Sequence, residues 1–285
     1  HISDLLLANY WVITNCKYVK CSALQSVTFE SGSILAEIGA SAFYHCSTLF
    51  AISIPSAVKQ ISDWAFKDCA SLASVTFMPN SVLDCIGESA FVACTALKEI
   101  TIPSSVTKID VAAFKGCRTL ETVIFEDNSL LKSIEGKYND KAYLGVFSDC
   151  TALSSIRIPA NVESIGATAF KGCTALESVS FEKGSKLSFI EGGIDEYNGA
   201  FSYCKKMTVL DAENCTQLQT IGDAAFYGDV ELNALRLGTT IPPTVGNMSF
   251  LGISEAAVLS VPASSITEYK NSDSWNSVFK MIKGL

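Results

Sequence analysis

Apolar residues recur along the chain in an order that repeats from one segment to the next. The stretch IGASAFYHCSTLFAISIP, which begins at Ile38, returns as IGESAFVACTALKEITIP at Ile86 and as IGATAFKGCTALESVSF at Ile165. These segments share the template I-x-x-x-A-F-x-x-C-x-x-L-x-x-I-x-I. A fixed period of about 20 to 50 residues is typical of stacked coils, so the pattern predicts a repeat solenoid.

The spacing between the first isoleucines of successive units is nearly constant. It alternates between 25 and 23 residues from Ile13 to Ile134, and it lengthens to 31 residues at two places before Ile221. The two longer spacings place extra residues in segments 135–145 and 191–199. We therefore predict two loops that protrude from an otherwise regular stack.

The repeats divide the chain into three predicted parts. Residues 13–237 hold about nine coils, including both insertions. Residues 1–12 are interpreted as an N-terminal cap or the remainder of an upstream region, and residues 238–285 as a C-terminal capping segment. Caps are expected because the outermost coils of a solenoid would otherwise expose their apolar inner faces.

Each unit combines two apolar periods. The L-x-x-I-x-I part alternates apolar and polar residues and predicts a short, half-buried strand. The A-F-x-x-C-x-x-L part has apolar residues three apart, which predicts one helical or 3₁₀ turn that carries Phe, Cys and Leu into the core. Eight phenylalanines would then stack as an interior spine: Phe43, Phe66, Phe91, Phe114, Phe147, Phe170, Phe201 and Phe226.

The cysteines follow the repeat rather than a metal-binding pattern. Of 11 cysteines, only Cys16, Cys85 and Cys215 lie outside the repeat position, and no C-x-x-C pair occurs. Stacked thiols do not converge on one ion, and parallel Cβ vectors disfavour disulfides. We predict buried thiols, with no metal and no cofactor, at Cys21, Cys46, Cys69, Cys94, Cys117, Cys150, Cys173 and Cys204.

Composition and charge narrow the function further. The formal net charge is −8, without a cluster of Lys or Arg, so nucleic acid is not an expected partner. The two histidines, His1 and His45, leave little for a histidine metal site or a Ser-His-Asp triad. No apolar run approaches the ~18–20 residues that cross a bilayer, so no transmembrane segment is predicted.

The insertions are the most individual part of the sequence. Both begin with Glu-Gly and contain Tyr, Asp and Asn, a composition frequent in recognition loops. They lie two coils apart, which corresponds to about 10 Å at the spacing of paired strands. The alternatives to a recognition site at the insertions are ordinary solvated loops and a calcium site. The candidate partner-binding residues are Tyr138, Asp140, Tyr143, Asp195, Glu196 and Tyr197 in the loops, and Arg157, Asp211 and Arg236 on outward strand positions.

The repeat motif I-G-x-x-A-F-x-x-C-x-x-L-x-x-I-x-I-P resembles that of the BspA-like, or Treponema-type, leucine-rich repeat proteins. The ending VPASSITEYKNSDSWNSVFKMI is similar to the C-terminal segment of such proteins in gut Bacteroidetes. The resemblance implies a right-handed leucine-rich-repeat horseshoe with a parallel sheet on its concave side. The chain departs from the motif at Met207, at Asp229, where cysteine is expected, and in the two insertions.

The same resemblance implies a secreted or surface-anchored protein that adheres to host matrix, host cells or other bacteria, and it implies no catalytic residues. We therefore expect a non-enzymatic binding protein, monomeric, with a protein or glycan partner; lipid anchoring would require a segment outside this sequence. The alternative is a spacer or scaffold of the cell envelope that presents another region. An enzyme is the weakest hypothesis, because no phosphate-binding loop or converging pair of acids is present.

Overall fold

The computed structural model describes residues 4–7, 12–13, 20–30, 32–139, 142–193 and 197–285. For 4–7, 12–13 and 138–139 it describes the backbone alone. The predicted N-terminal cap, residues 1–12, therefore lies largely outside the described residues.

Each coil contains one strand of four residues and one of two residues. The four-residue strands coincide with the alternating L-x-x-I-x-I positions. The two-residue strands end at the first isoleucine of the template, or at Val245 in the last of them. The longer strands are Asp4–Leu7, Ser26–Phe29, Ala51–Ile54, Ser74–Phe77, Glu99–Ile102, Thr122–Phe125, Ser155–Ile158, Ser178–Phe181, Val209–Ala212, Ala234–Leu237, Val258–Val261 and Met281–Gly284. The shorter strands are Val12–Ile13, Glu37–Ile38, Gln60–Ile61, Cys85–Ile86, Lys108–Ile109, Ser133–Ile134, Ser164–Ile165, Phe189–Ile190, Thr220–Ile221 and Thr244–Val245.

Both kinds of strand pair in parallel with their counterparts in neighbouring coils. The longer strands form successive sheets of four, two and six strands, and the shorter strands form two sheets of five. Equivalent template positions face each other: Ile52 is opposite Val75, and Ile61 is opposite Ile86. The predicted parallel-strand solenoid is thus confirmed.

The segment that joins the short strand to the next long strand differs from the predicted helical turn. Cys46 N–H donates to Phe43 O within the coil at 3.1 Å, whereas Phe43 N–H donates to Ala65 O of the next coil at 2.8 Å. A helix would use every N–H within its own coil, so this alternation replaces the helix with a run of turns. In the described part of the chain, helical residues occur only near the C-terminus, at Ala263–Ser265, Ile266–Asn271 and Asp273–Asn276.

The alternation also requires left-handed backbone. The runs that follow the insertions use it at one position each, Asp149 and Tyr203, and seven other runs use it at two positions each. In the first of these runs Ser41 has φ 55° and His45 has φ 59°. A left-handed conformation costs a residue with a side chain roughly 1–2 kcal/mol. The hydrogen bonds to the neighbouring coil offset that cost, because they satisfy backbone groups that would otherwise be buried without partners.

The predicted phenylalanine spine is present and longer than expected. Phe43, Phe66, Phe91, Phe114, Phe147, Phe170, Phe201 and Phe226 are joined by Phe250, with ring centroids 5.1 to 5.5 Å apart and planes within 15° of each other. Phe250 is not predicted from the template, because Ile253 replaces the repeat cysteine after it and Ser249 replaces the alanine before it. The stack of coils therefore continues beyond Leu237.

Aromatic residues of the C-terminal segment cover the last ring of this spine. Trp275 and Phe279 lie with their ring centroids 5.7 and 5.3 Å from that of Phe250. Trp275 Nε1–H donates to Pro243 O at 3.0 Å, which satisfies the indole in its buried position. Trp275, in the last helix, and Phe279, after it, thus close the apolar end of the stack.

Truncation of the spine should be costly. Phe114 is fully buried, with its ring 5.2 Å from Phe91 and 5.5 Å from Phe147. We expect Phe114→Ala to lower the free energy of unfolding by about 3–5 kcal/mol, measured by denaturant titration. The control is Ile124→Thr, at an exposed strand position where other coils carry Thr, which should change stability by less than about 0.5 kcal/mol. Equal effects of both substitutions would contradict the spine's role.

Candidate functional site

The first insertion folds back on itself as a small hairpin. Tyr138–Asn139 pairs in antiparallel fashion with Ala142–Tyr143, and Leu144 N–H donates to Lys137 O at 2.8 Å. The chain then re-enters the coil at Gly145, where a Cβ atom would lie 1.8 Å from Thr168 O of the next coil. Glycine at this position therefore lets the loop close against the stack.

Tyr143 is held by groups from two turn runs. Lys115 Nζ donates to Tyr143 O at 2.7 Å, and lies 3.9 Å from the centre of the tyrosine ring. Tyr143 Oη–H donates to Asp149 Oδ2 at 2.9 Å. Desolvation, followed by this bond to a carboxylate, raises the pKa of Tyr143 to about 12, while burial lowers the pKa of Lys115. Tyr143 is thus a neutral, fixed hydrogen-bond donor at physiological pH.

Lys171 contacts both insertions. Its Nζ lies 5.0 Å from the ring centre of Tyr143, in the first insertion. The same Nζ donates to Tyr197 O at 2.8 Å and to Asn198 Oδ1 at 2.6 Å, in the second insertion. A single lysine therefore brings Tyr143 and Tyr197 to one surface.

Two further tyrosines extend this surface along the turns. Tyr227 meets the ring of Tyr197 edge-on at 4.9 Å and that of Tyr203 at 5.5 Å. Lys171 Nζ also lies 5.0 Å from the ring centre of Tyr203. We call the group the tyrosine–lysine surface; it consists of Lys115, Tyr143, Asp149, Lys171, Tyr197, Tyr203 and Tyr227.

The sequence alone predicts only part of this surface. Tyr143 and Tyr197 are among the predicted binding residues, whereas the turn residues that hold them are not. Lys115, Lys171 and Tyr227 each follow a spine phenylalanine directly, and Tyr203 follows one by two positions. Because the phenylalanine points inward, Lys115, Lys171 and Tyr227 face outward; the template therefore indicates their exposure but not which insertion they contact.

The remaining candidates divide between a separate face and undescribed positions. Arg157 Nε lies 3.8 Å from Glu182 Oε1, and Arg236 contacts Asp211 at 3.5 Å. Arg157, Asp211 and Arg236 belong to the longer strands rather than to the turns. Exposed pairs of this kind contribute at most about 1 kcal/mol. For Tyr138 only the backbone is described, and Asp140, Asp195 and Glu196 lie outside the described residues.

The cysteine column offers no reactive thiolate. The Cys117 thiol donates to Phe91 O at 3.1 Å, and burial raises the pKa of Cys117 to about 12. All ten described cysteines are outside disulfides, and the predicted burial is confirmed for the column from Cys46 to Cys204. Nucleophilic chemistry needs the thiolate form, so these thiols act as core residues.

Other chemistry is equally sparse where the structure describes the chain. His45 Nδ1 lies 4.0 Å from Asp68 Oδ2 in an exposed pair. The described residues contain no group of three or more His, Cys, Asp or Glu side chains arranged to hold a metal ion. Within the same residues, no helix has the length and apolar character of a membrane span.

Comparisons with known proteins agree with this architecture. A family model described as a BspA type leucine rich repeat region matches residues 12–139, 140–193 and 193–277, in six copies. A leucine-rich repeat protein from Bacteroides ovatus is 25% identical with a TM-score of 0.57, over 93% of this chain and 72% of that chain. The pneumococcal vaccine antigen PcpA is 18% identical with a TM-score of 0.55, over 99% of this chain and 79% of that chain. Comparison with curated protein sequences gives no significant match.

Thiol reactivity tests the buried column. Cys46, Cys69, Cys94, Cys117, Cys150, Cys173, Cys204 and Cys215 are buried, so at most three of the 11 thiols should react with a thiol reagent in the native protein. All 11 should react after denaturation under non-reducing conditions. Cys85→Ser, at a half-buried position, should lower the native count and the denatured count by the same single thiol. A denatured count well below the full number would contradict the prediction.

Proposed function

The chain belongs to the family of BspA-type leucine-rich-repeat proteins, and we propose on this basis that it is a non-catalytic binding protein of the cell exterior. Its partner is a protein or glycan of host matrix, host cells or other bacteria, and the protein acts in adhesion. The description of PcpA as a vaccine antigen agrees with an exterior location. The binding site is the tyrosine–lysine surface.

The observation that carries this proposal is the contact of Lys171 with both insertions. Insertions in a solenoid add surface without adding core, so they are where recognition evolves independently of folding. Tyr143 and Tyr197 belong to different insertions, yet both contact Lys171. A ligand would therefore meet one continuous surface rather than two separate loops.

The chemistry of the surface suits macromolecular recognition. Tyrosine offers a large contact area with few rotatable bonds and a polar end, so ordering it costs little conformational entropy. Tyr197 remains 44% exposed despite its contacts. Tyr143 is already fixed by Lys115 and Asp149. Such preorganisation removes part of the entropic cost of binding.

Tyrosine truncation tests the site against a matched position. Tyr227 and Tyr44 each follow a spine phenylalanine directly, but only Tyr227 contacts Tyr197. Binding is measured by surface plasmon resonance against fibronectin, fibrinogen, mucin and a glycan array. We expect Tyr227→Ala to weaken saturable binding at least tenfold, which corresponds to about 1.4 kcal/mol. Tyr44→Ala should leave binding unchanged.

The outcomes separate the hypotheses. If both tyrosine variants bind equally well and Arg157→Ala or Arg236→Ala loses binding, the site lies instead on the outward positions of the longer strands. Absence of saturable binding to the whole panel would favour the alternative of an envelope spacer. Denaturant unfolding of each variant confirms that a change in affinity does not reflect unfolding.

Lysine substitution tests whether the two insertions act together. Lys67 and Lys171 occupy the same template position, and only Lys171 contacts the insertions. Lys171→Met preserves the length of the side chain but removes its donors and charge. We expect it to weaken the same binding several-fold by releasing Tyr143 and Tyr197, whereas Lys67→Met should have no effect. Identical affinities for the two variants would show that the insertions do not need this link.

A further inference from the structure

The cysteine column forms a regular series of hydrogen bonds between coils. Six consecutive thiols each donate to the carbonyl of the spine phenylalanine in the preceding coil, at 3.1 to 3.2 Å. The donors are Cys69, Cys94, Cys117, Cys150, Cys173 and Cys204, and the acceptors are Phe43, Phe66, Phe91, Phe114, Phe147 and Phe170. In these six coils the position thus carries a side chain that donates to the preceding coil.

Asp229 occupies this position in the next coil. It lies three residues after Phe226 and is fully buried. Its Oδ1 accepts the N–H of Cys204 at 2.7 Å, whereas its Oδ2 is buried with no hydrogen-bond partner. By the register of the series, the acceptor that a thiol at this position would use is the carbonyl of Phe201.

Apart from the N–H of Cys204, the described surroundings of Asp229 offer its charge no compensating group. The titratable groups that face it are the thiols of Cys204 and Cys173, on the preceding coils. On the other side, the equivalent position of the next coil is Ile253, which packs against the core. In the described part of the chain, no Lys, Arg or His forms an ion pair with Asp229. Burial raises the pKa of Asp229 well above the usual carboxyl range.

We propose that Asp229 is held as the neutral acid, that its hydroxyl donates to Phe201 O in place of a thiol, and that loss of this proton loosens the C-terminal coils. Only the protonated form can do this, since an ionised carboxylate has acceptors and no donor. The same proton removes the uncompensated charge from the core, where an ion without a partner is costly. One carboxyl group thereby makes one end of the solenoid sensitive to pH.

The direction of the pH effect follows from proton binding. An aspartate in the unfolded chain loses its proton near pH 4, whereas the folded protein retains the proton to higher pH. Between these two values the folded state binds more protons, so stability falls as the pH rises. The stabilisation that the proton of Asp229 provides is fully present below about pH 4. It is lost as the pH rises through the pKa of Asp229 in the folded protein.

The test compares the unfolding of the wild type, Asp229→Asn and Asp229→Cys between pH 5 and 8. Asn keeps the shape of the neutral acid, with a donor and an acceptor but no titration, and Cys restores the residue of the other coils. We expect the unfolding equilibrium constant of the wild type to rise by up to tenfold per pH unit relative to either variant. Other groups titrate equally in all three proteins and cancel in the comparison.

Two further measurements locate the effect. Infrared difference spectra of the wild type against Asp229→Asn should show a protonated carboxyl C=O stretch at neutral pH. Amide hydrogen exchange in residues 226–261, corrected for its intrinsic pH dependence, should accelerate with pH in the wild type alone. The proposal would be overturned if the stability of the wild type and of the variants changed in parallel with pH and the wild type showed no protonated carboxyl band. If Asp229→Asn fails to fold, Asp229→Cys supplies the same comparison.

Discussion

Hydrogen bonds between successive coils determine where the other groups of this molecule lie. Each turn run sends alternate N–H groups to the next coil, as Phe43 does to Ala65 O. To aim them, residues such as Ser41 and His45 take left-handed backbone. The phenylalanines then point inward at one fixed spacing, and the residues that directly follow most of them are at least partly exposed. Core packing and surface placement are therefore two results of one backbone arrangement.

Much of this fold could be predicted because the template repeats. The alternation in Ala51–Ile54 and its equivalents is a period-two pattern, and an inward phenylalanine in every unit is easily recognised. The two-residue strands such as Gln60–Ile61 could not be found, since two residues carry no period. The turn run resembled a helix because its apolar residues are three apart, and apolar spacing alone does not reveal whether an N–H group serves its own coil or the next.

The candidate site was predictable only in its most unusual parts. Tyr143 and Tyr197 stood out because they lie in insertions. Lys115 and Lys171 did not, because lysine after a spine phenylalanine also occurs at Lys67, where no insertion is near. Their role depends on which loops rise beside them, and that is a property of the stack rather than of any one repeat. The strand residues Arg157, Asp211 and Arg236 were equally visible in the sequence, yet the structure places them on a different element.

The regular core also explains where variation can occur. Rings 5.1 to 5.5 Å apart leave no room for a change in the spacing of the coils, so inserted residues must leave the coil at a corner and return, as at Gly145. Inside the stack, Asp229 can take over the hydrogen bond of the cysteine it replaces only by keeping its proton. A corner and a buried donor position are thus subject to different constraints: the first admits new surface chemistry, and the second turns a single substitution into a dependence on pH.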